Sequence, residues 1–229
     1  MKNKNDIHNN KIYIGSAYIT NFFITNFWFL VMILPLILYI YKFEGNLSMP
    51  IMLLLSILMG PAVTTLFSIM GKLLREGEIT PTKDFFHFYK LNFFQSLLVG
   101  VILNIAISIA YFDMDYFSST GNQVFSFLFL ALLVLVILLS MYIYPIISRY
   151  NIRIGHLFKI SISLLIKKIY ISISCVSMII IVLGILRITR LSLIALLFGA
   201  SIICYLIMRI EKKTIDELEE DIKEKYKNN

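Results

Sequence analysis

Charge is what this chain has least of. Of its 229 residues only 15% are Asp, Glu, Lys or Arg, against 59% hydrophobic. A soluble domain carries about 25% charged and roughly 45–50% apolar residues. The deficit is uneven: long stretches hold no charged residue at all, and the charges crowd between them. That pattern leaves no room for a separate soluble domain. It fits a chain that crosses a bilayer several times, since each crossing helix needs about 20 apolar residues.

Other scarcities exclude whole classes of chemistry. Cys175 and Cys204 are the only cysteines and both sit in apolar stretches. Without further partners at closer spacing they form neither a disulfide framework nor a zinc cage, and they read as small buried hydrophobes. The histidines, His8, His87 and His156, lie in polar or interfacial segments. There is no HExxH pair, no GxSxG elbow and no phosphate loop. Asp113 and Asp115 make a DxD pair, but no other acid is near in sequence and Ser118 to Asn122 follow, so a solvated acidic turn is expected. No cofactor and no metal are expected, and the chain is read as not an enzyme.

What is there in abundance is apolar sequence, and it divides into six spans: about Ala17 to Tyr41, Met49 to Lys72, Leu91 to Phe112, Val124 to Ile147, Ile169 to Leu186 and Leu191 to Met208. The expected fold is all-α, a polytopic membrane protein, because a spanning segment must satisfy its backbone internally and these runs lack the alternation of a β-barrel. Residues 1–208 form one membrane domain, and 209–229 a cytoplasmic amphipathic tail with Ile215, Leu218, Ile222 and Tyr226 on one face. The first span is read as a retained helix, since no small-residue cleavage site follows it.

The spans carry no ionisable residue in their interiors, where ion-coupled transporters and membrane enzymes keep theirs. Neutral groups such as Asn26, Ser56, Ser68, Asn104 and Ser108 are expected to link helices. Gly60-Pro61 falls mid-span and predicts a kink, with the Thr64 and Thr65 hydroxyls reaching the freed carbonyls. Pro35 and Pro145 are further candidates for kinking and packing. Gly77 is a candidate helix cap, and Thr80-Pro81 a helix start.

All 21 Lys and Arg except Lys42, Arg187 and Arg190 fall on one side of the alternating spans, the side that holds both termini. By the positive-inside rule that side is cytoplasmic. The net charge of +7 is thereby read as orienting charge and contact with anionic lipid rather than nucleic-acid binding. Two segments on that side look like helices lying at the membrane surface. One mixes Phe85, Phe86, Phe88 and Tyr89 with Lys83, His87 and Lys90; the other runs from Asn151 to Lys168, with Arg153, His156 and Lys159 three or four apart.

Four motifs, in this order, resemble the YesL-like family of bacterial integral membrane proteins, a group of unknown function. They are Asn26 to Pro35; Gly60-Pro61-Ala62-Val63-Thr64-Thr65; the run Phe85 to Gln95, including Lys90, Asn92 and Phe93; and Tyr144-Pro145 followed by Ser148-Arg149-Tyr150. The resemblance carries no catalytic residues. It implies a setting in the bacterial cytoplasmic membrane beside ATP-driven (ABC-type) carbohydrate importers. The expectation is therefore an accessory subunit of an oligosaccharide importer, in contact with the lipid bilayer and with the permease or ATPase subunits. Phe85, Phe86, Phe88, Tyr89, Lys90, Asn92, Phe93, Gln95, Arg149 and Arg153 are the candidate partner or lipid contacts. The alternative is a self-sufficient transporter or channel for a small neutral solute, with the kinked second span lining its path. A membrane enzyme acting on lipid or glycan is the weakest reading.

Overall fold

The computed structural model describes residues 11–43, 48–189 and 191–227. Lys2, Lys4, His8 and Arg190 lie outside the described residues, as do the side chains of Lys11, Glu219, Asp221, Ile222, Lys223, Lys225, Tyr226 and Lys227. Eight helices follow one another among the described residues: α1 Lys11–Lys42, α2 Met49–Ser56, α3 Met59–Glu76, α4 Pro81–Ser119, α5 Gln123–Arg149, α6 Ile154–Lys167, α7 Ile169–Ile188 and α8 Ser192–Lys227. Six stretches are long and apolar enough to cross a membrane, with α2 and α3 forming one of them.

The second span breaks where proline chemistry requires it. Pro61 has no N–H to return to the Ile57 carbonyl, and Gly60 N–H takes that carbonyl instead at 3.2 Å, while Leu58 N–H bonds to Leu55 at 3.3 Å. The ladder thus tightens to a three-residue turn between α2 and α3. Thr64 and Thr65 donate to Gly60 and Pro61, their ordinary fourth-residue carbonyls, and not to the carbonyl that the proline frees. Pro35 and Pro145 lie inside helices that continue through them. Gly77 ends α3 in the left-handed region, φ 78°, its N–H bonded to Leu73, as its position predicts.

Two boundaries differ from the sequence reading. The aromatic-basic run is not a separate surface helix: α4 is a single helix of 39 residues, about 58 Å at 1.5 Å per residue. Between Pro81 and Gly121 only Gly100 could interrupt it, and Gly100 is buried against a neighbour. Asp113 and Asp115 accordingly stand on the last turns of α4, not in a loop, and the chain reverses only at Gly121, φ 78°. Likewise α8 runs unbroken from the sixth span into the tail. The Asn151-to-Lys168 segment does form its own helix, α6, with Leu157, Ser161 and Leu165 buried on one face.

Buried residues from α1, α3, α4, α7 and α8 make one core, around Leu66, Ile69, Met70, Leu73, Phe85, Cys175 and Met208. A second core joins α4, α5 and α6 through Val99, Leu103, Ile143, Ile147 and Leu157. Around them the outward faces stay apolar: Leu98, Ile102, Ile105 and Ile109 form an exposed stripe on α4. Such a belt is costly in water and favourable in hydrocarbon.

Candidate functional site: the polar seam and the basic end

The backbones of α3 and α4 approach closely at Gly60 and Gly100. A Cβ on Gly60 would stand 2.7 Å from the Ser96 carbonyl oxygen and 3.3 Å from the Gly100 Cα, so only glycine permits this crossing. Polar side chains line the same seam. Ser56 donates to Asn104 Oδ1 at 3.2 Å, and Asn92 Nδ2 donates to Ser68 Oγ at 3.1 Å. Ser68 in turn lies 3.2 Å from the Ser148 carbonyl on α5. Gln95 Nε2 donates to the Ile152 carbonyl at 2.6 Å, tying α4 to the segment before α6. Across the bundle, Asn26 donates to the Leu196 carbonyl at 2.7 Å and accepts from Ser201 N–H at 3.2 Å, joining α1 to α8. Each pairing lets a polar group sit at depth without the penalty of an unmade bond.

At the basic end, ion pairs hold the helix ends together. Lys72 donates to both oxygens of Asp84, at 2.9 and 3.0 Å. Asp84 Oδ2 also accepts from the backbone N–H of Thr80 at 2.9 Å, so it satisfies the N-cap donor from one position beyond that of a capping box, while the Thr80 hydroxyl makes no cap bond. Arg149 pairs with Asp216 at 2.7 Å, Lys168 pairs with Glu217, and the Tyr150 hydroxyl donates to the Ile215 carbonyl at 3.3 Å. The first two turns of the tail are therefore docked on α5, α6 and α7.

The predicted site residues divide accordingly. Gly60, Pro61, Thr64 and Thr65 are buried at the α3–α4 crossing, and Phe85 is fully buried beside Phe86 and Tyr89. Asn92, Gln95 and Arg149 are engaged within the chain. Phe88, Tyr89 and Phe93 are half-buried, whereas Phe86, Lys90 and Arg153 face outward, with Phe94 beside them. Trp28 packs on Phe86 with ring centroids 4.8 Å apart and donates to Thr82.

The sequence reading missed Asp84, Asp216, Tyr142 and above all Glu211. Glu211 is fully buried. Its Oε1 accepts from the Cys175 thiol at 3.9 Å, and its Oε2 has no hydrogen-bond partner, nor have the buried hydroxyls of Ser161 and Ser172. A signal was present: Cys204, Ile207, Met208, Glu211, Thr214 and Ile215 follow one another at helical spacing, so Glu211 lies in the inward stripe. No group of three or more His, Cys, Asp or Glu that could hold a metal ion occurs among the described residues.

An all-helical bundle with six helices long and apolar enough to cross a bilayer, its helices joined at several points by neutral polar side chains, is of the class of multi-pass membrane proteins. Within it, residues 22–114, less than half the chain, match a family described as "Protein of unknown function, DUF624". The matched stretch covers Asn26, the Gly60-Pro61 break and the aromatic-basic part of α4, and stops before α5. No curated protein and no solved structure matches the chain.

Proposed function

We propose that the chain is a non-catalytic subunit of the bacterial cytoplasmic membrane, an accessory to an ABC-type carbohydrate importer, with its basic end in the cytoplasm. One observation carries the non-catalytic part. The polar side chains Asn26, Ser56, Ser68 and Asn92, at the α1–α8, α2–α4 and α3–α4–α5 contacts, bond to other helices, which commits them to holding the bundle and leaves the outer surface as the contact face for a partner. On that surface the ridge of Phe86, Lys90 and Phe94 on α4 is exposed. It combines apolar rings with a cation, a composition suited to a partner's helix end or to a lipid headgroup. The importer itself rests on the resemblance to the YesL-like family.

Affinity purification of the tagged full chain in mild detergent tests this reading. Recovery of importer permease or ATPase subunits, lost when Phe86 and Phe94 are both changed to Ala, is the expected result. Recovery of the chain alone overturns it.

A second reading, passage of a small neutral solute, is supported by the break before Pro61 and by a groove of about 420 Å³ between α2 and α4. Leu53, Leu54, Ile57, Val101 and Ile105 line it, with Asn104 as a polar contributor. Solute uptake by vesicles holding only this protein would establish that role.

A further inference from the structure

Glu211 is a carboxyl enclosed on every side at the meeting of α5, α7 and α8, with one oxygen unbonded. Burying a carboxylate is costly unless a positive charge or several donors accompany it. The cations of the basic end are placed elsewhere. Lys168, where α6 gives way to α7, engages Glu217 and Thr214, and Arg149 on α5 engages Asp216. Arg75 on α3 lies among Glu76, Arg149, Tyr150 and Asp216, while Arg209, Lys212 and Lys213 on α8 itself are exposed. The group that contacts Glu211 is neutral, the Cys175 thiol on α7, and Tyr142 of α5 reaches the start of that same helix.

Two hydroxyls sit at the first turn of α7, the helix that carries Cys175. Tyr142 spends its proton on the Lys168 carbonyl at 2.8 Å, so its oxygen offers lone pairs. Ser172, three residues before Cys175 on the same face of α7, is fully buried, and its Oγ has no hydrogen-bond partner. The Cys175 S–H donates to Oε1 and leaves Oε2 open. We propose that Glu211, Ser172 and Tyr142 form a site for one small monovalent cation, H⁺ or Na⁺, with Cys175 orienting the carboxyl. A single carboxylate with hydroxyls matches one positive charge. A divalent or soft metal would need more ligands of its own kind, and the described residues hold no such cluster. This site is independent of the accessory-subunit reading and lies beyond the segment that matches the family.

The test uses the purified full chain in detergent, with Glu211→Gln as the near-isosteric variant and Ser172→Ala as a second. If Na⁺ is the ligand, replacing choline chloride by NaCl at constant ionic strength raises the melting temperature. The rise is about 3–5 °C for each tenfold increase in sodium beyond the dissociation constant. It disappears in Glu211→Gln and shrinks in Ser172→Ala. If the ligand is H⁺, the infrared spectrum of the wild type shows a protonated-carboxyl band that is absent from Glu211→Gln and that rises and falls with bulk pH. A wild type that responds neither to sodium nor to pH in these ways overturns the proposal. So does a carboxyl band that stays constant as pH changes, because a proton that never exchanges is structural.

Discussion

At the scale of single residues, glycine and acid behave differently from what sequence motifs suggest. Gly60 and Gly71 are both buried helical glycines of α3, and replacing either by Ala gains about 1 kcal/mol of helix propensity. At Gly60 the new methyl would meet the Ser96 backbone oxygen at 2.7 Å, which cannot yield without moving α4. At Gly71 it would meet the Met208 methyl at 2.6 Å, the free end of a flexible side chain. Gly60→Ala is therefore expected to destabilise by about 1–3 kcal/mol, and Gly71→Ala to change stability by less than about 1 kcal/mol. Thermal unfolding of the two variants in the same detergent measures the contrast, and equal effects would sink the argument. The Gly60-Pro61 pair was legible as a break because proline removes a bond at a known place. The roles of Asp84 and Glu211 were not legible, since each depends on what another helix brings: Lys72 in one case, Cys175 in the other.

At the scale of elements, the long apolar runs announced the spans, and their charged ends misled. A run of Lys, His and aromatic residues before Leu91 reads as an interfacial helix because its composition changes there. The backbone, however, responds to breakers, and none interrupts α4 until Gly121. The same reasoning governs α8. Its residues from Glu211 to Glu217 are polar enough to read as tail, yet Glu211, Thr214 and Ile215 are buried and Asp216 and Glu217 are paired. A chain ending at Arg209 should therefore lose an anchored piece of the bundle, whereas one ending at Glu220 keeps it. Burial of Ile215 alone is worth about 2 kcal/mol, and with Thr214 and the two ion pairs the shorter chain should melt roughly 5–10 °C lower. Fluorescence-detected size exclusion after a heating series distinguishes the two truncations. Equal survival would show that the tail contributes nothing to the bundle.

At the scale of the whole molecule, an even number of spans places the start of α1 and the end of α8 at one end. That end also carries Lys72, Lys83, Lys90, Arg149, Arg153 and Lys168. Moving such a density of Lys and Arg across a bilayer is unfavourable, so the end that carries it should remain where the chain was made. The opposite end offers Asp113, Asp115 and the Gly121 turn. Both native cysteines are buried, which lets single introduced cysteines report accessibility, with the parent chain as the blank. Lys83→Cys and Lys212→Cys, on different helices and both exposed, should react with a membrane-impermeant maleimide only after the cell is opened. Ser119→Cys, exposed at the far end of α4, should react in intact cells. A labelling pattern that separates Lys83 from Lys212 would break the six-span topology itself. The reverse pattern at all three positions would keep the fold and invert it, placing the Phe86–Lys90–Phe94 ridge out of reach of any cytoplasmic ATPase.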